Sequence, residues 1–155
     1  MIIRKLRAYR RLSRPQRRLA MKSIVLLAWV RLGLWLAPFR IVQRVCGHFG
    51  RVSRRRGDRA GVHEIAWAVR LASRYVPQAT CLVQALAAQI LLGRHGHAGE
   101  VHIGVALDAK LGFRAHAWVE SQGEVLVGGS EELDGYSRML VLDGSTRQSA
   151  GSLRG

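Results

Sequence analysis

Residues 80–127, TCLVQALAAQILLGRHGHAGEVHIGVALDAKLGFRAHAWVESQGEVLV, contain a change of period that decides the fold. Thr80 is a residue type that caps helix N-termini, and the CLVQALAAQILLGR after it is rich in alanine and leucine. Gly93 or Gly96 offers a C-terminal stop. Beyond His97 the period falls to two. From Glu100 to Asp108, Val101, Ile103, Val105 and Leu107 alternate with His102, Gly104, Ala106 and Asp108. From Phe113 to Glu120, Phe113, Ala115, Ala117 and Val119 take one face, and Arg114, His116, Trp118 and Glu120 the other. Ser121-Gln122-Gly123 reads as a tight turn, Glu124 to Val127 as the returning strand, and 138–142 as a further one.

Upstream, Val62, Ile65, Val69 and Ala72 share one helical face over Val62 to Tyr75, with Pro77 as the break. Helices first and then an antiparallel meander is an α+β layout. Between the helices and the N-terminus, RVSRRRGDRAG (51–61) has no periodicity and reads as a linker or exposed loop.

The N-terminal segment differs in charge from everything after it. Residues 1–57 hold sixteen Lys or Arg and no acid; from Asp58 onward nine bases face ten acids. The formal +15 therefore belongs to residues 1–57, a basic helical segment, and 58–155 form a nearly neutral core. Residues 4–18 (RKLRAYRRLSRPQRR) carry Leu6, Tyr9 and Leu12 at roughly helical spacing, and Ser23 to Phe39 (SIVLLAWVRLGLWLAPF) is an apolar stretch interrupted by Arg31 and closed by Pro38. Seventeen residues with a central Arg make a poor bilayer span. They make a poor secretory signal as well. Three readings stay open: a half-buried helix packing Trp29 with solvated basic flanks, a membrane-surface helix drawn to anionic lipid, and a docking arm for an acidic partner. Charge alone also permits nucleic acid, but no recognition module accompanies it, and none is expected.

With 155 residues, 48% hydrophobic and 23% charged, the chain is one globular unit that needs neither metal nor disulfides to fold. Its two cysteines, Cys46 and Cys81, read as free thiols in a reducing compartment. Cys81 stands at a predicted helix start, where unpaired backbone N–H groups and the helix dipole favour a thiolate and can hold an oxyanion. His116, on a strand between two alanines, is a candidate base for it. Cys46 reads as an idle buried thiol. His95-Gly96-His97 reads as a solvated turn rather than a metal site, His102 as surface or site rim, and Glu120 as a solvated or structural carboxylate. Trp118 shares the His116 face and can shield it from water. His48 and His63 fit no pattern.

TCLVQALAAQILLGRHG, VHIGV and FRAHAWVESQGEVLV, in that order, resemble the transglutaminase-like cysteine protease of lasso-peptide biosynthesis over roughly residues 60–145. The basic and then leucine-rich front is similar too. The resemblance implies a papain-like, transglutaminase-like core, with Cys81 as nucleophile and His116 as general base. It implies a cytoplasmic leader peptidase that uses no metal or cofactor, and the basic N-terminal segment leaves peripheral contact with the inner membrane face open. Its partners are then the leader region of a precursor peptide, a leader-recognition protein that presents it, and an ATP-dependent macrocyclase that closes the core. An amine acyltransferase of the same superfamily is the near alternative, and a non-catalytic basic module the distant one.

The family's third catalytic residue does not carry over. Its Asp falls at Gly128, which pairing about Gln122 sets opposite His116. Glu131, Glu132, Asp134, Asp143, a backbone carbonyl or water remain as groups to orient the imidazole.

Overall fold

The computed structural model describes residues 12–51, 60–108, 112–129, 136–142 and 149–150. Among the described residues four helices come first: α1 (Arg14–Leu36), α2 (Phe39–Phe49), α3 (Val62–Ser73) and α4 (Cys81–Arg94). The strands β1 (Glu100–Asp108), β2 (Gly112–Ser121), β3 (Glu124–Val127), β4 (Ser137–Leu142) and the short β5 (Ser149–Ala150) follow. The layout is α+β, as the change of period predicts.

The sheet order is β3-β2-β1-β4-β5, antiparallel throughout. A simple meander therefore holds only for the first three strands. β4 crosses back to pair with the free edge of β1, and the nine residues between β3 and β4 are long enough to do so. Alternation alone cannot say which edge a returning strand takes. The Gln122-Gly123 turn is as expected, both residues having positive φ (53° and 81°), which matches the twist of a two-residue hairpin.

α1 begins well before the apolar stretch. Ser13 caps it, its Oγ accepting from the Gln16 N–H at 3.4 Å while its own N–H donates to Gln16 Oε1 at 3.1 Å, and Pro15 suits the first turn. Pro38 does not simply close this helix; it opens α2. Trp29 is not a packing residue, since 67% of it is exposed. α1 buries Leu19, Leu27 and Val30 on its other side, against α3 and α4.

α4 is the axle of the molecule. Every residue from Ala85 to Gly93 is buried, because α4 touches α1, α2 and α3 as well as β1, β2 and β3. Buried Gln89 ties it to the sheet, donating to the Leu142 carbonyl at 2.7 Å and the Gly99 carbonyl at 3.3 Å. Of the two candidate stops, Gly96 (φ +86°) lies just past the helix end. Gly93 serves packing instead: a Cβ there would lie 1.9 Å from the Gly50 carbonyl oxygen, where α2 ends.

Candidate active site

Cys81 is the first residue of α4 and half-buried. Thr80 is the N-cap, extended at ψ 166°, its Oγ1 accepting from the Val83 N–H at 3.5 Å. The N–H groups of Cys81 and Leu82 have no partner inside the helix and are available to a negative charge at this end. The turn that delivers Cys81 is braced from two directions. Gln84 Nε2 donates to the Ala79 carbonyl at 2.9 Å. Gln78, whose φ of +55° is unusual for a side-chain-bearing residue, accepts at Oε1 from the Arg31 guanidinium. The charge interrupting the apolar stretch of α1 thus holds the turn before Cys81. Sequence reasoning missed this, and a lone Arg in a leucine-rich run was the signal.

His116 lies on β2, half-buried, opposite Gly104 on β1. Its Nε2 is 2.6 Å from the Gly128 carbonyl oxygen. A carbonyl only accepts, so Nε2 carries a hydrogen, and in the neutral ring the lone pair is then on Nδ1. That leaves Nδ1 as the ring atom able to accept a proton. Among the orienting groups left open, the backbone carbonyl at 128 is the one in contact; Glu131, Glu132, Asp134 and Asp143 lie outside the described residues. Equal pairing about Gln122 is also corrected. A register shift between Val119 and Glu120 pairs Glu120 with Val125 and Val119 with Val127, and swings the Gly128 carbonyl to the ring.

A side chain cannot stand at 128. Gly128 has φ +111°, and a Cβ would sit 2.5 Å from Trp118 Cβ and 2.8 Å from its Cα. The carboxylate that the resemblance would set at 128 is thus excluded by the same backbone that supplies the carbonyl.

A model of the transglutaminase-like superfamily matches residues 23–141. The chain belongs to the transglutaminase-like superfamily. That match runs from α1 into β4 and so takes in both candidate residues. No curated protein and no solved structure gives a match. The superfamily includes cysteine peptidases and acyltransferases.

In this transglutaminase-like chain the helix starting with Cys81 packs against the strand carrying His116. The contacts described for the His116 ring are Gly128, Trp118 at 6.4 Å and Tyr136 at 5.6 Å between ring centroids, whereas Cys81 packs against the apolar core. Trp118 is 1% exposed and stacks within 18° of the His116 ring plane, which fits a shield against water. Gly104 leaves room for its indole: a Cβ there would come within 2.9 Å of it.

Two expectations for the neighbouring residues change. His102 is not surface or rim. It is 3% exposed, stacked on Trp118 at 5.5 Å, with Nε2 at 3.5 Å from Glu120 and 3.6 Å from Glu100. Its strand neighbour alternation was legible, but the indole that covers it comes from β2. Glu120 is a structural carboxylate, accepting from Trp118 Nε1 at 2.8 Å. The His-x-His turn is only partly solvated, Gly96 being exposed and both histidines half-buried. His95 Nδ1 accepts from the Ala60 N–H at 3.3 Å, and His97 Nε2 donates to the Ala60 carbonyl at 2.9 Å, so the pair clasps the chain entering α3. Cys46 is a buried thiol that burial pushes up to about 11, too weak an acid to act as a nucleophile near neutrality. Among the described residues no group of three or more His, Cys, Asp or Glu gathers as a metal site.

Proposed function

We propose that this chain is a cysteine peptidase that removes the leader from a lasso-peptide precursor, with Cys81 as nucleophile and His116 as base. The observation that carries the reading is the His116 tautomer: with Nε2–H held by the Gly128 carbonyl, Nδ1 is left to take a proton. Membership of a superfamily that includes cysteine peptidases supports it. So does a half-buried thiol at the start of the helix that packs on the His116 strand.

In the proposed reaction the Cys81 proton passes to His116 Nδ1 and the thiolate attacks the carbonyl at the leader–core junction. The N–H groups of Cys81 and Leu82 face the oxyanion of the tetrahedral intermediate. Its collapse breaks the C–N bond, the core amine leaving with the proton from His116, and the leader remains as a thioester. Water then gives its proton to Nδ1, attacks the thioester and releases the leader acid and the free thiol. The precursor closes the catalytic geometry when a leader-recognition protein presents it, and a macrocyclase uses the freed amine.

Iodoacetamide alkylation mapped at Cys81 and Cys46 across pH tests the pair. A His-paired thiolate at a helix start titrates at roughly 3.5–7.5, against about 8.5 for an ordinary thiol. Fast reaction of Cys81 at acidic pH, lost in His116→Ala, is the expected result. Equal titration in both proteins, with leader peptide and recognition protein present, sinks the pairing. The superfamily's acyltransferases make the acceptor a second question. Hydrolysed leader supports the peptidase; leader joined to an added amine replaces it with acyl transfer.

A further inference from the structure

α1 is apolar on both sides, yet only one side is covered. Leu19, Leu27 and Val30 face the core. Opposite them, Met21, Val25, Trp29 and Leu32 follow one another at three- and four-residue spacing, Trp35 and Leu36 lie three and four residues beyond Leu32, and all are exposed. Trp29 is 67% and Trp35 79% exposed. A helix hydrophobic all round has a second apolar environment to satisfy. α2 adds another open row, Ile41, Val45 and Phe49.

The charges identify that environment. Lys22, Arg18 and Arg14, four residues apart, are exposed beside this stripe at the N-terminal end, and no acid occurs anywhere in residues 1–57. A second copy of the chain would set these cations against each other. An anionic lipid surface meets both features at once, with phosphates for the cations and an interfacial layer for the tryptophans, whose indoles favour that depth. By length and composition α1 is able to cross a bilayer. Spanning would strip Leu19, Leu27 and Val30 from the core, and Arg31 from Gln78.

We infer that the outer face of α1 docks the protein in the plane of an anionic membrane surface. Met21, Val25, Trp29, Leu32, Trp35 and Leu36 enter the interfacial layer, and Arg14, Arg18 and Lys22 contact headgroups. This inference is independent of the peptidase reading.

The test is sedimentation of the full chain with phosphatidylcholine vesicles, with and without phosphatidylglycerol, followed by tryptophan quenching with brominated lipids. Binding should require phosphatidylglycerol and weaken with salt. Each cation near such a surface is worth about a fivefold change in partitioning, so Arg14→Gln with Arg18→Gln and Lys22→Gln should cost about a hundredfold. Trp29→Ser with Trp35→Ser should cost more than tenfold, and circular dichroism should show an unchanged fold, since both side chains are exposed. Quenching should be strongest for bromines near the headgroups. Absence of vesicle binding overturns the inference, as does binding indifferent to the tryptophan changes. Strongest quenching by bromines at the bilayer centre replaces docking with spanning. A dimer or a complex with an acidic protein, formed through these residues without vesicle binding, assigns the face to protein instead.

Discussion

At the residue scale, Gly128 joins fold and chemistry in one peptide group. Its φ of +111° costs a side-chain-bearing residue, and the overlap with Trp118 Cβ, Trp118 Cα and the Ala117 carbonyl cannot be relieved by trimming Trp118, because those atoms remain. Gly128→Ala should therefore destabilise by about 2–4 kcal/mol. Urea unfolding measures this, and a change under about 1 kcal/mol would mean that the segment repositions freely. Gly128→Asp should not restore a working carboxylate but should lose activity with stability. The carbonyl's role has its own readout: nitrogen-15 shifts should show His116 protonated at Nε2 and bare at Nδ1. The opposite tautomer would remove the proposed base. Cys46 carries the pH signature. Its thiol is pushed by burial up to about 11, whereas an unfolded thiol ionises near about 8.5. The unfolded chain thus loses its proton first, so this stability is complete below pH ~8.5 and declines as pH rises towards 11, by on the order of 3 kcal/mol. The difference between wild type and Cys46→Ala should vanish or reverse over that window, while alkylation of Cys46 in the folded protein stays slow below it.

At the scale of elements, the turn between α3 and α4 is held by a helix more than forty residues earlier in the chain: Arg31 of α1 grips Gln78, three residues before Cys81. Arg31→Met keeps the aliphatic bulk of α1 and removes the donor. It should slow Cys81 alkylation and precursor cleavage about three- to tenfold, with the unfolding midpoint little changed and Arg31→Lys recovering part of the rate. A Met variant at full rate would show that the Gln78 turn holds itself. This contact also marks where the sequence could be read and where it could not. α4, β1 and β3 were legible nearly to their ends, since Thr80 caps a dense apolar run and the strands alternate strictly. α2 was not legible although Phe39, Val42, Cys46 and Phe49 recur at helical spacing, because a Pro such as Pro38 marks the end of one helix as readily as the start of the next. Cys81 and His116 stood out by residue type and setting. Arg31, the Gly128 carbonyl and the cover on His102 did not, because each depends on a partner that only tertiary structure supplies.

At the scale of the molecule, helices and sheet are one body because α4 belongs to both. Gln89 is the polar rivet of that union. It is 2% exposed and reaches two strand-end carbonyls, Leu142 at the end of β4 and Gly99 just before β1, so the strand that crosses back is pinned to the central helix. Gln89→Leu would pack with similar volume but leave the buried Leu142 carbonyl and the half-buried Gly99 carbonyl without this donor. It should cost roughly 1–3 kcal/mol. The loss should be uneven, because Gln89 bonds the end of β4 directly, whereas β2 has its own packing on α4. Amide exchange should therefore accelerate more in β4 than in β2, with the Gly128–His116 contact kept. If exchange in both strands rises together, Gln89 supports the domain only as a whole; if neither moves, apolar packing around Leu142 and Leu140 holds the crossing strand by itself.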